Sequence, residues 1–382
     1  MAKTANLKFA MMSGALKNAG DFLIVKRSEG LIRHVYPDAE LHFYNRCKSI
    51  EDDLEEINQM DAMIFCGGPA YIPQLYPQAF PLVSDLNRIR IPMFALGLGW
   101  FGSSSANKAV YNYRFSASTK QLLHRIESDT KLLGCRDWYS VSVLRSQGIW
   151  SGRMTGCPAW YHLDFVDQQD FGKTDPRRVK KVCISDPADP GYLQQLTDVT
   201  AYLRQVFPAA EVKVVFHRGI TQDAYTSSQA SQRICQAVSA CTQLGAECID
   251  ISYGQDGFDV YDDCDLHIGF RVHAHIYNLS RRNCSVLIEE DGRGAGVNQA
   301  LGLCPITAYD YAVKTWPDGE HMISTVGKSE NAYLLQLLDD HLNNLYQADF
   351  LQIRHAFRLM QAYYRQMEQH VESLRSCIES RR

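Results

Sequence analysis

Short apolar runs alternate with longer amphipathic stretches along most of the chain. This rhythm is typical of strand–helix–strand units that build a parallel sheet. The runs that predict strands in the first half are Phe9–Ser13, Glu40–Tyr44, Ala62–Cys66, Met93–Leu96, Leu132–Cys135 and Met154–Thr155. Those in the second half are Val182–Ser185, Val212–Phe216, Glu247–Ile251, Leu266–Ile268 and Ser285–Ile288. Helices are expected between them, for example over Asp21–Tyr36, Lys120–Glu127 and Gln229–Gln243.

A charged stretch, Asp167–Lys181, separates the two series of strands and contains Pro176. We therefore predict an N-terminal domain over residues 1–166, a C-terminal domain over 167–328 and a helical tail over 329–382. Both domains are expected to be α/β and similar in size. Ligands of such folds bind beyond the carboxyl ends of the strands, so the cleft between the domains is the expected site.

The tail has a different period. From Phe350 onwards, apolar residues recur at steps of three and four, at Phe350, Ile353, Phe357, Met360, Tyr364, Met367, Val371, Leu374 and Ile378. This spacing predicts a long helix with a narrow apolar seam. Two interpretations remain open: the helix packs across the first domain, or the seam joins two copies of the chain into a homo-oligomer.

Composition limits the classes of protein that fit. The 382 residues are 46% hydrophobic and 21% charged, as in ordinary globular proteins. The net charge of -4 argues against a nucleic-acid partner, since nucleic-acid binders usually carry a basic excess. No apolar run approaches the roughly 18 residues of a membrane span, and the first residues lack a secretory signal. The twelve cysteines stand singly without a CxxC pair, which favours reduced thiols in the cytoplasm over disulfides or zinc.

Glycine-containing motifs stand where predicted strands end. Asn18-Ala19-Gly20-Asp21 opens the first helix, where free backbone amides attract anions. Asp21 is either a helix cap or a contact for a substrate hydroxyl. Gly67-Gly68 follows Ala62–Cys66 and allows a ligand to approach the backbone closely. The complete glycine fingerprints of dinucleotide-binding and Walker-type sites are missing from the sequence, so neither class is supported.

The densest chemistry lies between Asp265 and His275. Arg271 and His273 fall at the predicted strand-to-helix turn, where a guanidinium and an imidazole can share one small anion, and His273 can exchange a proton near neutral pH. A shared metal is not expected, because His273 and His275 would face different sides of a helix.

Weaker candidates follow other strands. Arg136 suits a phosphate or carboxylate contact, although an internal pair with Asp137 is an alternative. His217 and Arg218 end Val212–Phe216 and could reach the same cleft. Glu290 could bind sugar hydroxyls. For these last three residues, a solvated loop is the alternative.

Taken in order along the chain, these motifs resemble the polysaccharide pyruvyl transferase family. The segments that carry the resemblance are Asn18-Ala19-Gly20-Asp21, Gly67-Gly68, Arg136-Asp137 with Ser140, Thr155-Gly156-Cys157-Pro158-Ala159 and Phe270-Arg271-Val272-His273-Ala274. The sequence departs from the family pattern at Cys157, where Asp is frequent, at Asp186, where Arg is frequent, and at Phe270, where Ser is usual. The change at Asp186 removes a cation near the cleft, and Arg218 could replace it.

The resemblance implies two Rossmann-like domains in a GT-B-like arrangement and the transfer of a pyruvyl group from phosphoenolpyruvate onto a sugar as a ketal. It implies that Arg271 and His273 form the donor site, with no metal or cofactor. The residues expected to bind substrate are Asn18, Gly20, Asp21, Gly67, Gly68, Arg136, His217, Arg218 and Glu290. The acceptor would be a sugar or a lipid-linked oligosaccharide, which would bring the protein to the inner membrane face. Two rival functions are a nucleotide-sugar glycosyltransferase and a non-catalytic sugar-binding protein.

Overall fold

A computed structural model of the protein describes residues 6–102, 110–315, 321–328 and 330–380. The strands are β1 (Lys8–Ser13), β2 (Glu40–Asn45), β3 (Ala62–Cys66), β4 (Pro69–Tyr71), β5 (Met93–Leu96), β6 (Gly99–Trp100), β7 (Leu133–Cys135), β8 (Gly152–Met154), β9 (Lys181–Ser185), β10 (Glu211–Phe216), β11 (Glu247–Asp250), β12 (Leu266–Gly269), β13 (Cys284–Glu289), β14 (Ile306–Thr307), β15 (Tyr309–Thr315) and β16 (His321–Lys328). The helices are α1 (Ala19–Val35), α2 (Leu54–Ile57), α3 (Ala117–Thr130), α4 (Trp138–Ser146), α5 (Leu193–Val206), α6 (Ser228–Gln243), α7 (Val272–Ser280), α8 (Gly292–Leu301), α9 (Asn331–Gln347) and α10 (Leu351–Glu379).

Two parallel sheets form the centres of the two domains. The N-terminal sheet has the order β2-β1-β3-β5, and the bridge between Leu98 and Cys135 connects it to the parallel pair β7-β8. The C-terminal sheet has the order β11-β10-β9-β12-β13-β14. If its strands are counted from one to six along the chain, this order is 3-2-1-4-5-6, which is the Rossmann order. The predicted α/β class is confirmed.

Burial explains why the apolar runs form these strands. Every residue of Ala62–Cys66 and of Cys284–Glu289 is buried, as expected for parallel strands that are covered on both faces. The predicted strands lie within a few residues of the observed ones. The antiparallel hairpin of β15 and β16 was not predicted, because its sequence mixes polar and apolar residues without a clear period. The domain boundary near residue 167 stays a prediction; the two sheets lie on either side of it.

The long helix α10 returns from the C-terminal domain to the N-terminal domain. Its apolar seam is buried throughout, from Phe350 to Ile378. The imidazole of His370 stacks on Phe94 with ring centroids 4.1 Å apart, and its Nε2 lies 2.8 Å from the carbonyl oxygen of Ala95. The first interpretation of the seam is therefore correct. The alternative of a homo-oligomer formed through the seam is wrong, because the chain covers that surface itself.

Candidate active site

A cleft lies between the carboxyl ends of the two sheets, and three helices begin at its walls. These helices are α1, α7 and α8. The residues that line the cleft are Asn18, Asp21, Pro69, Arg136, Cys157, Ala188, Arg218, Phe270, Arg271, Val272, His273, Ile276, Glu290, Asp291, Arg293 and Gly294. The structure thus brings together seven predicted site residues that are far apart in sequence: Asn18, Asp21, Arg136, Arg218, Arg271, His273 and Glu290.

The guanidinium group of Arg271 is buried and held by Asp186. Its Nε and Nη2 donate to the two carboxylate oxygens of Asp186 at 2.7 and 2.6 Å, and Nη2 also donates to the carbonyl oxygen of Pro187 at 3.0 Å. Burial opposes the charge of Arg271, but the pair with Asp186 prevails and raises its pKa. The departure from the family pattern at Asp186 therefore fixes the cation of Arg271 in place.

Arg136 and Arg293 are held in the same way. Arg136 donates from Nε to Asp137 at 3.0 Å and from Nη2 to the carbonyl oxygen of Trp100 at 2.7 Å. Arg293 donates from Nε and Nη2 to Asp291, with Nη2 at 2.7 Å. The two alternatives for Arg136 are therefore both realised, since it pairs with Asp137 and also lines the cleft.

In each of these three arginines, Nη1 makes no hydrogen bond within the described part of the chain and is not enclosed. Arg218 also lines the cleft, and the described residues offer it neither a hydrogen bond nor an ion pair. Arg136, Arg271 and Arg293 are already held by carboxylates, so they bind anions without a further cost in side-chain ordering. The cleft is therefore suited to a small ligand with more than one anionic group.

His273 stands among these cations in the first turn of α7. Desolvation, reinforced by the positive charges of Arg293, Arg136 and Arg271, lowers the pKa of His273 to about 3. Its imidazole is therefore neutral in the free protein near neutral pH. An anion that binds to the arginines compensates their charge and raises this pKa, so ligand binding and protonation of His273 are coupled.

The N-terminus of α1 contacts His273 from the other domain. A Cβ atom added at Gly20 would overlap with Nδ1 and Cγ of the His273 imidazole, so this close approach requires glycine. The next residue, Asp21, lines the cleft. Burial raises the pKa of Asp21, although Asn18 and Arg46 oppose the effect. Asp21 thus lies in the same cleft as His273, on the side of the N-terminal domain.

The glycine pair Gly67 and Gly68 makes room for the side chain of Arg46, a residue that the sequence analysis did not identify. Arg46 is buried, donates from Nη1 to the carbonyl oxygen of Gly67 at 2.7 Å and lies over the ring of Phe80. Gly68 has a φ of +77°, and a Cβ there would press against the Arg46 guanidinium. The pair therefore makes room for an internal cation, while the following residue, Pro69, lines the cleft.

Two predicted contacts have other roles. The prediction for His217 is wrong: its imidazole is fully buried, and Nε2 lies 2.8 Å from the hydroxyl of Tyr261. The chain bends directly after β10, and Arg218 lines the cleft while His217 does not. The Glu290 carboxylate accepts from the backbone amides of Ala188 and Asp189 at 2.9 and 3.0 Å. It holds that loop in place and also lines the cleft, so its contact with a sugar hydroxyl stays a prediction.

Arg293 and Asp186 are functional candidates that the sequence analysis did not select. Arg293 lies three residues after Glu290 in the same charged loop. The signal that could have identified it is Asp291, a helix cap two residues before it that can also pair with its guanidinium. Among the described residues, there is no group of three or more His, Cys, Asp or Glu side chains that could hold a metal. None of the helices in this part of the chain is both long enough and apolar enough to cross a bilayer.

The sequence of the chain is similar to that of a known family. A sequence model of the family described as polysaccharide pyruvyl transferase matches residues 18–225. A search of curated proteins found no match.

Among solved structures, Staphylococcus aureus MnaA with UDP is 9% identical, with 92% of this chain and 91% of that chain covered and a TM-score of 0.52. A putative UDP-N-acetylglucosamine 2-epimerase from Listeria monocytogenes is 9% identical, with 91% of each chain covered and a TM-score of 0.47. Anabaena Alr3699/HepE with UDP and glucose is 10% identical, with 98% of this chain and 99% of that chain covered and a TM-score of 0.46. The likeness to MnaA shows the fold, which is the predicted GT-B-like arrangement.

Proposed function

Because the chain belongs to the polysaccharide pyruvyl transferase family, we propose that it transfers a pyruvyl group from phosphoenolpyruvate onto two hydroxyls of one sugar during polysaccharide biosynthesis. The single observation that carries the choice of donor is the set of guanidinium groups around His273. Phosphoenolpyruvate has a carboxylate and a phosphate, so it needs at least two cationic contacts on a short three-carbon frame. Arg136, Arg271 and Arg293 offer these contacts through Nη1, together with Arg218, which has no partner among the described residues.

The proposed reaction begins when the donor binds and its negative charge raises the pKa of His273. The protonated imidazole then gives its proton to the methylene carbon of the donor, while one sugar hydroxyl attacks the central carbon. The carbon–oxygen bond to phosphate breaks, inorganic phosphate leaves, and the second hydroxyl closes the ketal. Of the two hydroxyl protons, one returns to His273 and the other leaves with phosphate or solvent. The arginines stabilise the charge that develops on the leaving phosphate.

Asp21 is the proposed acceptor-side contact. It lies on α1 of the N-terminal domain, one residue from the contact between Gly20 and His273. A sugar hydroxyl hydrogen-bonded to Asp21 would therefore lie near the proton donor. Closure of the two domains around the ligands would exclude water, which competes with the sugar. We place the reaction in the cytoplasm, at the inner membrane face when the acceptor is lipid-linked.

The direct test is release of phosphate from phosphoenolpyruvate with a panel of acceptor glycosides. The expected product is an acceptor heavier by one pyruvic acid less one water. Replacement His273→Gln removes the proton donor and should lower kcat by about 10²- to 10⁴-fold with folding intact. The exposed His355 provides a matched control, His355→Gln, which should keep full activity.

Thermal shifts separate this function from its rivals. Phosphoenolpyruvate should raise the Tm, whereas UDP and GDP should not. Stabilisation by a nucleoside diphosphate alone would identify a nucleotide-sugar glycosyltransferase. Binding of phosphoenolpyruvate without phosphate release from any acceptor would indicate a non-catalytic sugar-binding protein. Near-wild-type turnover in His273→Gln would contradict the assigned mechanism.

A further inference from the structure

The loop between β1 and α1 crosses from the N-terminal domain to the C-terminal domain. At its end, the side chain of Lys17 is only 3% exposed. The Nζ atom of Lys17 donates to Oδ2 of Asp223 at 2.5 Å and to Oγ1 of Thr226 at 2.6 Å. Both partners belong to the C-terminal domain, so a buried cation of one domain is neutralised by the other. We call Lys17, Asp223, Thr226 and Tyr253 the interdomain clamp.

Backbone contacts reinforce this clamp. The amide of Tyr253 donates to the carbonyl oxygen of Lys17 at 2.8 Å, and the Tyr253 hydroxyl donates to Asp223 Oδ2 at 2.7 Å. Two residues after Lys17, the amide of Ala19 donates to the carbonyl oxygen of His217 at 3.0 Å. The loop is thus fixed to the C-terminal domain by side-chain and main-chain hydrogen bonds.

The opposite wall of the clamp is shaped to receive Lys17. Gly219 has a φ of +83°, and a Cβ atom there would lie 3.0 Å from Cε and 3.1 Å from Nζ of Lys17. A buried ammonium without a partner destabilises the protein. The contact between the Lys17 loop and the C-terminal domain is therefore favoured while Asp223 is present. This pairing differs from an exposed surface ion pair, which contributes little.

The position of the clamp in the chain links it to the active site. Lys17 comes immediately before Asn18 and three residues before Gly20, whose backbone lies against the imidazole of His273. We propose that Lys17 is a positioning residue whose bonds to Asp223 and Thr226 hold the start of α1 against His273, so that the donor side and the acceptor side form one cleft. Only the activity part of this inference rests on the proposed function.

The main test compares Lys17→Met with wild type by NMR of ¹³C-labelled histidine, with the His273 signal assigned from its loss in His273→Gln. The wild-type imidazole should stay neutral from pH 8 down to roughly pH 5, since desolvation and Arg293, Arg136 and Arg271 hold its pKa at about 3. Withdrawal of Gly20 exposes the ring to water while the arginines remain. The pKa of His273 in Lys17→Met should therefore move upward from about 3 towards the ordinary value of 6.5.

Kinetics provide the second measurement. Lys17→Met should lower kcat by about 10- to 100-fold, because small displacements of reacting groups are costly. The KM for the donor should change less than about threefold, because the arginines that bind it are not moved. Lys26, also on α1, is exposed and pairs with Glu29 at 3.7 Å. Lys26→Met is therefore the matched control and should alter neither His273 nor kcat.

Each outcome decides the inference. An unchanged His273 titration in Lys17→Met, or an equal change in Lys26→Met, would overturn it. If Lys17→Met does not fold, Thr226→Val replaces it, since this change removes one of the two acceptors of Lys17 Nζ and leaves Asp223 to neutralise the ammonium. If the wild-type protein releases no phosphate from phosphoenolpyruvate, the proposed function fails, while the NMR comparison still tests the clamp.

Discussion

Gly20 shows how one residue connects the two domains at the active site. Its backbone lies so close to the His273 imidazole that no other residue fits there, since any side chain would occupy the place of Nδ1 and Cγ. The glycine in the Asn-x-Gly-Asp motif is therefore explained by packing across the cleft and not by a special backbone dihedral, because Gly20 is an ordinary residue of helix α1.

We predict that Gly20→Ala displaces His273 and lowers kcat by about 10- to 100-fold, a typical effect of a misplaced catalytic group. The same change at Gly30, also in α1, is the control, because a Cβ there meets nothing within 4 Å. Gly30→Ala should raise the free energy of unfolding by about 0.5–1 kcal/mol and keep full activity. Phosphate-release kinetics and urea denaturation check both variants. Full activity in Gly20→Ala would show that the contact with His273 has no role.

Much of the site at this scale is predictable from the sequence. Strand ends of parallel sheets meet at one edge, so the order of strands and motifs is enough to place Arg136, Arg218, Arg271 and His273 together. The direction in which a side chain leaves a strand end could not be predicted, which is why His217 was assigned to the cleft. The pairing of Arg271 with Asp186 could not be predicted from the sequence either, because it depends on the geometry of two neighbouring strands.

The helix α10 is the element that ties the two domains together from outside the cleft. Its regular steps of three and four predicted the helix and the seam, but the sequence alone could not decide what covers the seam. The structure shows that the chain itself covers the seam, through contacts between residues that are far apart in sequence. The hydroxyl of Tyr36 donates to the carbonyl oxygen of Val371 at 2.9 Å, and His370 stacks on Phe94.

We predict that Met367→Ala, in the centre of the seam, lowers the free energy of unfolding by about 2–5 kcal/mol, because Met367 is fully buried and its truncation leaves a cavity. Gln366→Ala, at the exposed neighbouring position, should change it by less than about 0.5 kcal/mol. Urea denaturation measures both. Dissociation of an oligomer in Met367→Ala, with unchanged monomer stability, would show instead that the seam joins two chains.

On the scale of the whole molecule, the cleft is complete only when both domains contribute. The N-terminal domain provides Asp21 and Arg136, and the C-terminal domain provides Arg218, Arg271, His273 and Arg293. Alternation of strands and helices was enough to predict two α/β halves of similar size. The way in which they meet was not, because it depends on individual contacts such as the one between Lys17 and Asp223.

In the proposed mechanism, the neutral imidazole of His273 gains its proton when an anionic donor binds to the surrounding arginines. Isothermal titration calorimetry of phosphoenolpyruvate at pH 8, in buffers with different ionisation enthalpies, tests it directly. At this pH, the donor phosphate is fully ionised, since its second pKa is about 6. The proposed mechanism requires a protonated His273 in the donor complex, so donor binding must raise its pKa from about 3 to above the working pH. The wild-type protein should therefore take up protons on binding, and His273→Gln should not. Binding without buffer dependence, or with equal proton uptake in both proteins, would contradict the account.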